Sequence, residues 1–302
     1  MKRIKFSKLL HFLYIIFFRV NIIYSQKIKK RTIFIVGDSI ADQRDISEGG
    51  VERGWGQMLE NYFNPEYITL ENAAWGGRSS KSYIIEGLWG KILKKIRPGD
   101  FVIIQFGHND EKKDSRYTEP GTTFDYYLSK YCNETRKSGG IPILMNCVVR
   151  RNFGKNKYIR QDDESLRNTT FADGGKVEET DILVDTHGDY RLSPKNVAQK
   201  LNVYFIDANK ITHELEQGLG IEGSKKLHMW YLPGEIPSEL LGKQDNTHYN
   251  IYGAEVVTKL LAEEIFKEVP ELRKYKINND LVVLFIFALF GNFRFFEFFF
   301  VE

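Results

Sequence analysis

Short apolar runs alternate with longer amphipathic stretches along most of the chain. Apolar runs bounded by glycine, proline and polar residues are typical of buried strands, and the stretches between them predict crossover helices. The predicted strands are Thr32–Val36, Tyr67–Glu71, Phe101–Phe106, Ile141–Val148 and Val203–Asp207. The predicted helices are Gly56–Phe63, Ser82–Lys95, Thr122–Ser138, Pro194–Leu201 and one that follows Asn250. This alternation indicates βαβ units and a parallel sheet.

One polar segment, Arg150–Asp189, interrupts the alternation because it lacks a sustained apolar period. The segment is predicted to be a long loop or insertion. A loop that follows a strand at the carboxyl edge of a sheet is a common position for substrate contacts, although long polar loops are often solvated surface. No repeat or low-complexity linker divides the chain, so residues 27–280 are predicted to form one domain.

Composition adds limits on function. The chain of 302 residues is 42% hydrophobic and 27% charged, which is typical of a soluble globular protein with a sizeable core. Its formal net charge of +3 is too small to indicate a nucleic-acid partner. The two cysteines, Cys132 and Cys147, fall on a predicted helix and a predicted strand, and buried free thiols are expected.

Both ends of the chain are apolar. In residues 1–26, the basic Met1–Lys5 precedes the apolar Leu9–Phe18, whose length suits a signal-peptide core, so export to the periplasm, cell surface or medium is expected. Arg19 and a poor cleavage pattern leave an uncleaved membrane anchor open. In residues 281–302, the apolar run Leu281–Phe290 falls short of the ~20 residues of a spanning helix. Packing on the domain and membrane contact are both open for it.

Candidate chemistry begins at Ser39, which follows the first predicted strand in the turn Gly37-Asp38-Ser39. Such a turn exposes a hydroxyl at the edge of a sheet, but these residues are common in ordinary turns. Three later segments strengthen the hypothesis. Glycines follow the second strand, an amide side chain follows the third, and an acid and a base precede the last helix; these segments are Asn72–Ser80, Gln105–Asp110 and Asp245–His248.

The order of these blocks resembles the SGNH hydrolases, also called the GDSL family, whose blocks supply serine, glycine, asparagine and histidine. The matching residues are Ser39, Gly77, Asn109 and His248. The resemblance covers about residues 31–275 and is strongest to the rhamnogalacturonan acetylesterase branch. The segments that carry this finer likeness are Gly76–Ser79, Phe106–Asp110, Val148–Arg151 and Asp245–Tyr249. With the strand pattern, it implies a three-layer α/β/α sandwich around a parallel, five-stranded, flavodoxin-like sheet with the site at the carboxyl ends of the strands.

The resemblance also implies a mechanism. Ser39 would be the nucleophile, His248 the general base and Asp245 the acid that orients the imidazole. The oxyanion hole would consist of the backbone N–H groups of Ser39 and Gly77 and the side-chain amide of Asn109. No metal or cofactor is required.

Several nearby residues have two interpretations each. Arg78, Arg150 and Arg151 suit the carboxylates of galacturonate, or internal salt bridges. Trp230 suits a sugar ring or the core, whereas Trp75 is predicted to lie in the core.

The function expected from these residues is removal of acetyl groups from rhamnogalacturonan or a related pectic polysaccharide by a monomeric serine esterase. One alternative is a lipase or lysophospholipase of the same superfamily, which the polar loops and the lack of an apolar lid disfavour. The other is a catalytically silent carbohydrate-binding protein, which the complete residue set disfavours.

Overall fold

A computed structural model describes residues 29–45, 49–154 and 180–277 and confirms the predicted sandwich around a five-stranded parallel sheet. The spatial order of the strands is β2-β1-β3-β4-β5, which is the flavodoxin-like order. The strands are β1 Arg31–Gly37, β2 Ile68–Asn72, β3 Phe101–Gln105, β4 Ile141–Met145 and β5 Tyr204–Ile206. The register places Gly37 opposite Gln105, so β1 and β3 end together at the carboxyl edge.

The helices form two layers because the strand side chains alternate between faces. Ile33 and Ile35 of β1 join one buried cluster, and Phe34 and Val36 join the other. The helices are α1 Trp55–Met58, α2 Ser80–Ile85, α3 Leu88–Leu93, α4 Thr123–Lys137, α5 Ser193–Leu201, α6 Ala208–Lys225 and α7 Ile251–Glu268. Short 3-10 turns occupy Leu59–Tyr62, Gly188–Arg191 and Pro270–Tyr275.

Two predicted boundaries were wrong. The stretch predicted as one helix, Ser82–Lys95, belongs to α2 and α3, which are separated at Gly87. Gly87 has φ +75°, a left-handed conformation that ends a helix and that glycine adopts without strain. The predicted strand Ile141–Val148 ends at Met145, and the residues after it turn into the loop at the carboxyl edge.

Two elements have no counterpart in the sequence-based prediction. The first is α6, and the second is an antiparallel hairpin of β6 His228–Tyr231 and β7 Lys243–Tyr249. The block Asp245–His248 therefore lies on a strand. Its polar residues hide the alternation that identifies most strands, because several of their side chains hydrogen-bond to local backbone or to one another instead of packing on an apolar face.

Of the remaining sequence-based expectations, one concerns residues that the structure describes and the others fall outside them. Cys132 and Cys147 are buried free thiols, as predicted. Residues 1–26 and 281–302, and 155–179 of the polar segment, lie outside the described residues. Within the described ranges, no helix combines the length and apolar character needed to cross a membrane.

Candidate active site

The site is built where β1 and β3 end side by side. A Cβ on Gly37 would lie 2.8 Å from the backbone oxygen of Gln105, so only glycine permits the two strands to approach this closely. The turn that follows is stabilised by Asp38, whose Oδ1 accepts a hydrogen bond from the Ile40 N–H at 3.0 Å. This turn places Ser39 at the carboxyl edge of the sheet.

Ser39, His248 and Asp245 form a hydrogen-bonded chain. The distance from Ser39 Oγ to His248 Nε2 is 2.9 Å, and that from His248 Nδ1 to Asp245 Oδ2 is also 2.9 Å. The other carboxylate oxygen, Oδ1, accepts the backbone N–H groups of Thr247 and His248 at 2.8 and 3.0 Å. Because Asp245 accepts at Nδ1, the neutral imidazole presents an unprotonated Nε2 to the serine hydroxyl. The geometry suits removal of a proton from Ser39.

The two predicted oxyanion residues on neighbouring loops also border this position. Gly77 has φ +77°, and a Cβ built on it meets no atom within 4 Å. Asn109 donates from Nδ2 to the Arg78 backbone oxygen at 3.1 Å, and its Oδ1 accepts from Arg116 at 3.3 Å. These contacts fix the orientation of the amide. Since Nδ2 carries two hydrogens, the second is available to a substrate oxygen.

These groups open into a cleft of about 440 Å³. Its walls carry four cationic and several acidic side chains as well as one large aromatic ring. The lining residues are Ser39, Asp42, Arg44, Glu52, Trp75, Gly76, Gly77, Asn109, Lys112, Arg116, Lys243, Asp245 and His248.

A model of the GDSL-like lipase/acylhydrolase family matches residues 35–256, a span that includes the five residues of the predicted triad and oxyanion hole. The chain belongs to the GDSL-like lipase/acylhydrolase family. Two relatives from Bacillus subtilis (strain 168) align over most of their length. Rhamnogalacturonan acetylesterase RhgT is 34% identical over 248 residues, which cover 82% of this chain and 95% of that protein. The probable rhamnogalacturonan acetylesterase YesY is 31% identical over 238 residues, 77% of this chain and 91% of that protein.

A solved structure supports the fold of this GDSL-like hydrolase. The crystal structure of protein YxiM from Bacillus subtilis is 22% identical and has a TM-score of 0.60. The match covers 80% of this chain and 57% of that chain. At this identity, the likeness bears on the fold alone.

The prediction for Trp75 was wrong. Its side chain is 54% exposed and forms part of the cleft wall, and the Arg78 guanidinium lies 5.7 Å from its ring centre. A single tryptophan after a strand does not reveal on which side of the loop it lies. Arg78 sits beside the cleft and pairs with Glu86 at 2.9 Å.

Three residues considered for substrate contact lie away from the cleft of this GDSL-like hydrolase. Arg150 makes the internal ion pair that its sequence left open, with Nη1 2.5 Å from a Glu111 carboxylate oxygen. Arg151 is 2% exposed and donates to Asn246 Oδ1 and to the Ile221 backbone oxygen. Trp230 donates to the same Asn246 oxygen at 2.9 Å. None of the three belongs to the lining listed above; Arg150 and Arg151 are buried, and Trp230 is half-buried.

Sequence reasoning missed the charged residues of the cleft wall. Arg44, Lys112, Arg116 and Lys243 lie in three separate segments and form no recognisable motif. These residues come together at the cleft only because of the paths of the loops that carry them. Arg44 is paired with Glu52 at 2.7 Å, and Arg116 contacts Asp114 at 2.5 Å.

The interior behind Ser39 holds several ionisable groups. Burial raises the pKa of Asp38 to about 6 despite its hydrogen bond from Ile40 and the nearby charges. Burial likewise raises the pKa of Asp110 to about 7, although Ser80 and Thr118 donate to it. His108, which precedes Asn109, is 3% exposed, and burial holds its pKa well below the usual range. His108 does not line the cleft.

Proposed function

We propose that the protein is a carbohydrate esterase that removes acetyl groups from rhamnogalacturonan or a related pectic polysaccharide. The observation that carries the proposal is the hydrogen-bonded chain Ser39–His248–Asp245 at the mouth of a charged cleft. Membership of the family supports ester hydrolysis by a serine nucleophile. The names of the two relatives, both at more than 30% identity, support the acetylated polysaccharide as substrate.

The acylation half-reaction follows from the contacts. Ser39 Oγ attacks the acetyl carbonyl carbon while His248 Nε2 takes its proton, and Asp245 stabilises the resulting imidazolium. The negative oxygen of the tetrahedral intermediate accepts the backbone N–H groups of Ser39 and Gly77 and the Asn109 amide. Collapse of the intermediate breaks the ester bond, and His248 donates its proton to the departing sugar oxygen.

Deacylation reverses these roles. His248 takes a proton from a water molecule, which attacks the carbonyl carbon of acetyl-Ser39. The same donors stabilise the second oxyanion. The intermediate then expels Ser39 Oγ, which regains its proton from His248 as acetate leaves.

The cleft walls support a polar, acidic polymer over a lipid. Among the described residues that line the cleft, Trp75 is the only large apolar side chain, so a long acyl chain would find little apolar surface there. Four cations, including Lys112 and Arg116, lie around the opening. Guanidinium and ammonium groups are suitable partners for uronate carboxylates. Trp75 offers a flat surface for a sugar ring.

A comparison of substrates tests the proposal. Purified protein is incubated with acetylated rhamnogalacturonan and, separately, with long-chain p-nitrophenyl esters, and acetate or nitrophenol release is measured. We expect release of acetate from the polysaccharide, slow turnover of the long-chain esters, and loss of both activities in Ser39→Ala with an unchanged melting temperature. Preference for the long-chain esters would indicate a lipase or lysophospholipase, and inactivity on both would indicate a silent binding protein.

We also propose that the protein acts outside the cytoplasm as a monomer. Support for export comes from the basic and apolar pattern of residues 1–26. Cell fractionation with N-terminal sequencing tests export and processing. Release from membranes only by detergent would indicate anchoring through residues 1–26 or 281–302. Size-exclusion chromatography with light scattering tests the monomer.

A further inference from the structure

Asp38 is a second buried carboxylate beside the nucleophile, and the mechanism above does not use it as a charge. It is fully buried, and only its Oδ1 has a hydrogen bond, from the Ile40 N–H. Within the described part of the chain, Oδ2 has no hydrogen-bond partner. The nearest polar ring atom, His108 Nδ1, is 3.7 Å away, which is too long for a hydrogen bond. A buried carboxylate with a bare oxygen is costly to keep, so its retention calls for an explanation.

Among the described residues, no lysine or arginine forms an ion pair with Asp38, although Arg150 and two histidines lie near enough to lower its pKa. Burial, and then the nearby His187 and Arg150, hold the pKa of His108 well below its usual range, so this ring is neutral at neutral pH. The charge of Arg150 is shared with Glu111, whose carboxylate lies 2.5 Å from its Nη1. The negative charge of Asp38 is therefore not cancelled by a paired cation, and its field acts on the neighbouring groups of the active site.

The groups that face Asp38 come from every element packed around it. They are His108 and Asp110 after β3, Cys147 and Arg150 after β4, His187 before the 3-10 turn, and His248 on β7. Of these, His248 is the group whose charge changes during the proposed reaction. Asp38 directly precedes Ser39, whose Oγ lies 2.9 Å from His248 Nε2, so the buried carboxylate lies near enough to the imidazole for the two charges to attract. Between buried groups, such attraction is weakly screened by solvent and salt.

We propose that Asp38 is a positioning residue that acts through His248, as a buried counter-charge for the imidazolium that forms when His248 takes the proton of Ser39. Asp245 holds the ring by a direct hydrogen bond, and Asp38 adds a second negative charge without touching the ring's donor atoms. The kinetic part of this inference rests on the proposed esterase function. The electrostatic part concerns His248 alone.

Asp38→Asn is the informative variant, because the amide keeps an oxygen for the Ile40 N–H and loses the charge. A nearby opposite charge typically shifts a pKa by about one unit or more, which corresponds to about tenfold in an equilibrium. We expect kcat/KM for p-nitrophenyl acetate to fall about tenfold on the pH plateau. We also expect the acid limb of the profile to move to lower pH, because His248 becomes harder to protonate. KM should change little, since Asp38 does not line the cleft.

Asp100→Asn is the matched control. Asp100 is also a buried carboxylate, 5% exposed, and accepts backbone N–H groups from Thr32 and Arg97. It precedes β3 and so lies at the opposite edge of the sheet from Ser39. This variant tests whether loss of any buried carboxylate disturbs the site. We expect its acid limb to coincide with that of the wild type.

Direct titration of His248 by NMR separates the two proposals. The imidazole C–H signals are followed against pH in Ser39→Ala and in the double variant Ser39→Ala/Asp38→Asn, neither of which turns over substrate. We expect the midpoint of His248 to lie about one pH unit lower in the double variant. An unchanged midpoint overturns the inference. A lowered midpoint in a protein that releases no acetate from any polysaccharide upholds the inference and rejects the proposed function.

If Asp38→Asn does not fold, Ser39→Ala alone provides the test. Asp38 attracts the proton on His248 only while its carboxylate is ionised, so the His248 titration curve should be broader than a single-site curve around pH 6, where Asp38 titrates. A single-site curve contradicts a role for Asp38.

Discussion

Ser39 Oγ and His248 Nε2 lie 2.9 Å apart, although the two residues are separated by 209 positions in the chain. Ser39 is positioned by the end of β1, and His248 by a hairpin that pairs outside the main sheet. The contact between Ser39 and His248 therefore forms only when the main sheet and the hairpin are both correctly assembled.

Asp245→Asn should lower kcat by roughly 10⁴-fold and leave the fold intact. The amide donates a hydrogen bond where the carboxylate accepted one from His248 Nδ1, so the ring adopts the tautomer that is protonated at Nε2. Steady-state kinetics with p-nitrophenyl acetate and a thermal melt measure both effects. Activity within tenfold of the wild type would show that Asp245 does not orient the base.

Asn109→Ala should lower kcat by about 10²–10³-fold with little change in KM, because the amide N–H binds the oxygen mainly in the transition state. The matched control is Asn196→Ala, which removes an exposed asparagine on α5. Its kinetics should match those of the wild type. A rise in KM at constant kcat for Asn109→Ala would instead assign the side chain to ground-state binding.

Trp75→Ala and Trp55→Ala should affect different properties, substrate binding in the first variant and stability in the second. Trp75 is 54% exposed on the cleft wall, so its loss should raise KM for the polysaccharide severalfold and leave the melting temperature nearly unchanged. Trp55 is fully buried and donates to Gln105 Oε1 at 2.6 Å. Its loss should lower the free energy of unfolding by about 3–5 kcal/mol. Equal KM values for Trp75→Ala and wild type would remove Trp75 from substrate binding.

The buried Asp110 should make part of the stability depend on pH. Its pKa is about 7 in the folded protein, above the value of an unfolded aspartate, so the folded state binds more protons between these values. The contribution of Asp110 is therefore favourable at low pH and is lost as the pH rises from about 4 to 7. Urea unfolding at pH 5 and pH 8 should show a smaller pH-dependent loss for Asp110→Asn than for wild type. An equal loss in both proteins contradicts this assignment.

Sequence reasoning recovered the parts of the fold that have a simple period. The apolar strands of the sheet mark where their carboxyl ends lie, which brings Ser39, Gly77 and Asn109 to one edge. By contrast, β7 is a polar strand whose side chains hydrogen-bond locally, so its alternation is hidden. Helix α6 contains glycines, including Gly220 with a non-helical backbone, and these weaken its apolar period.

The cleft walls were the least predictable part of the site. Lys112 and Lys243 meet there only because two loops and a hairpin converge, and no spacing along the chain encodes such a meeting. Arg151 shows the converse case. A basic residue in a polar segment was a reasonable candidate for substrate contact, but its guanidinium lies in the interior, 5.0 Å from the Trp230 ring centre.

The separate pairing of the β6–β7 hairpin bears on how the protein loses activity with heat. Backbone hydrogen bonds from Arg53 to Tyr249 and from Arg151 to Asn246 join β7 to the rest of the molecule, whereas every pairing of the five parallel strands is internal to their own sheet. The last five residues of β7 are nevertheless buried, and Tyr249 belongs to the same buried cluster as one face of the sheet. Displacement of the hairpin would therefore open the core as well as carry the base away from the nucleophile, so activity on heating depends on the packing that holds the hairpin against the sheet.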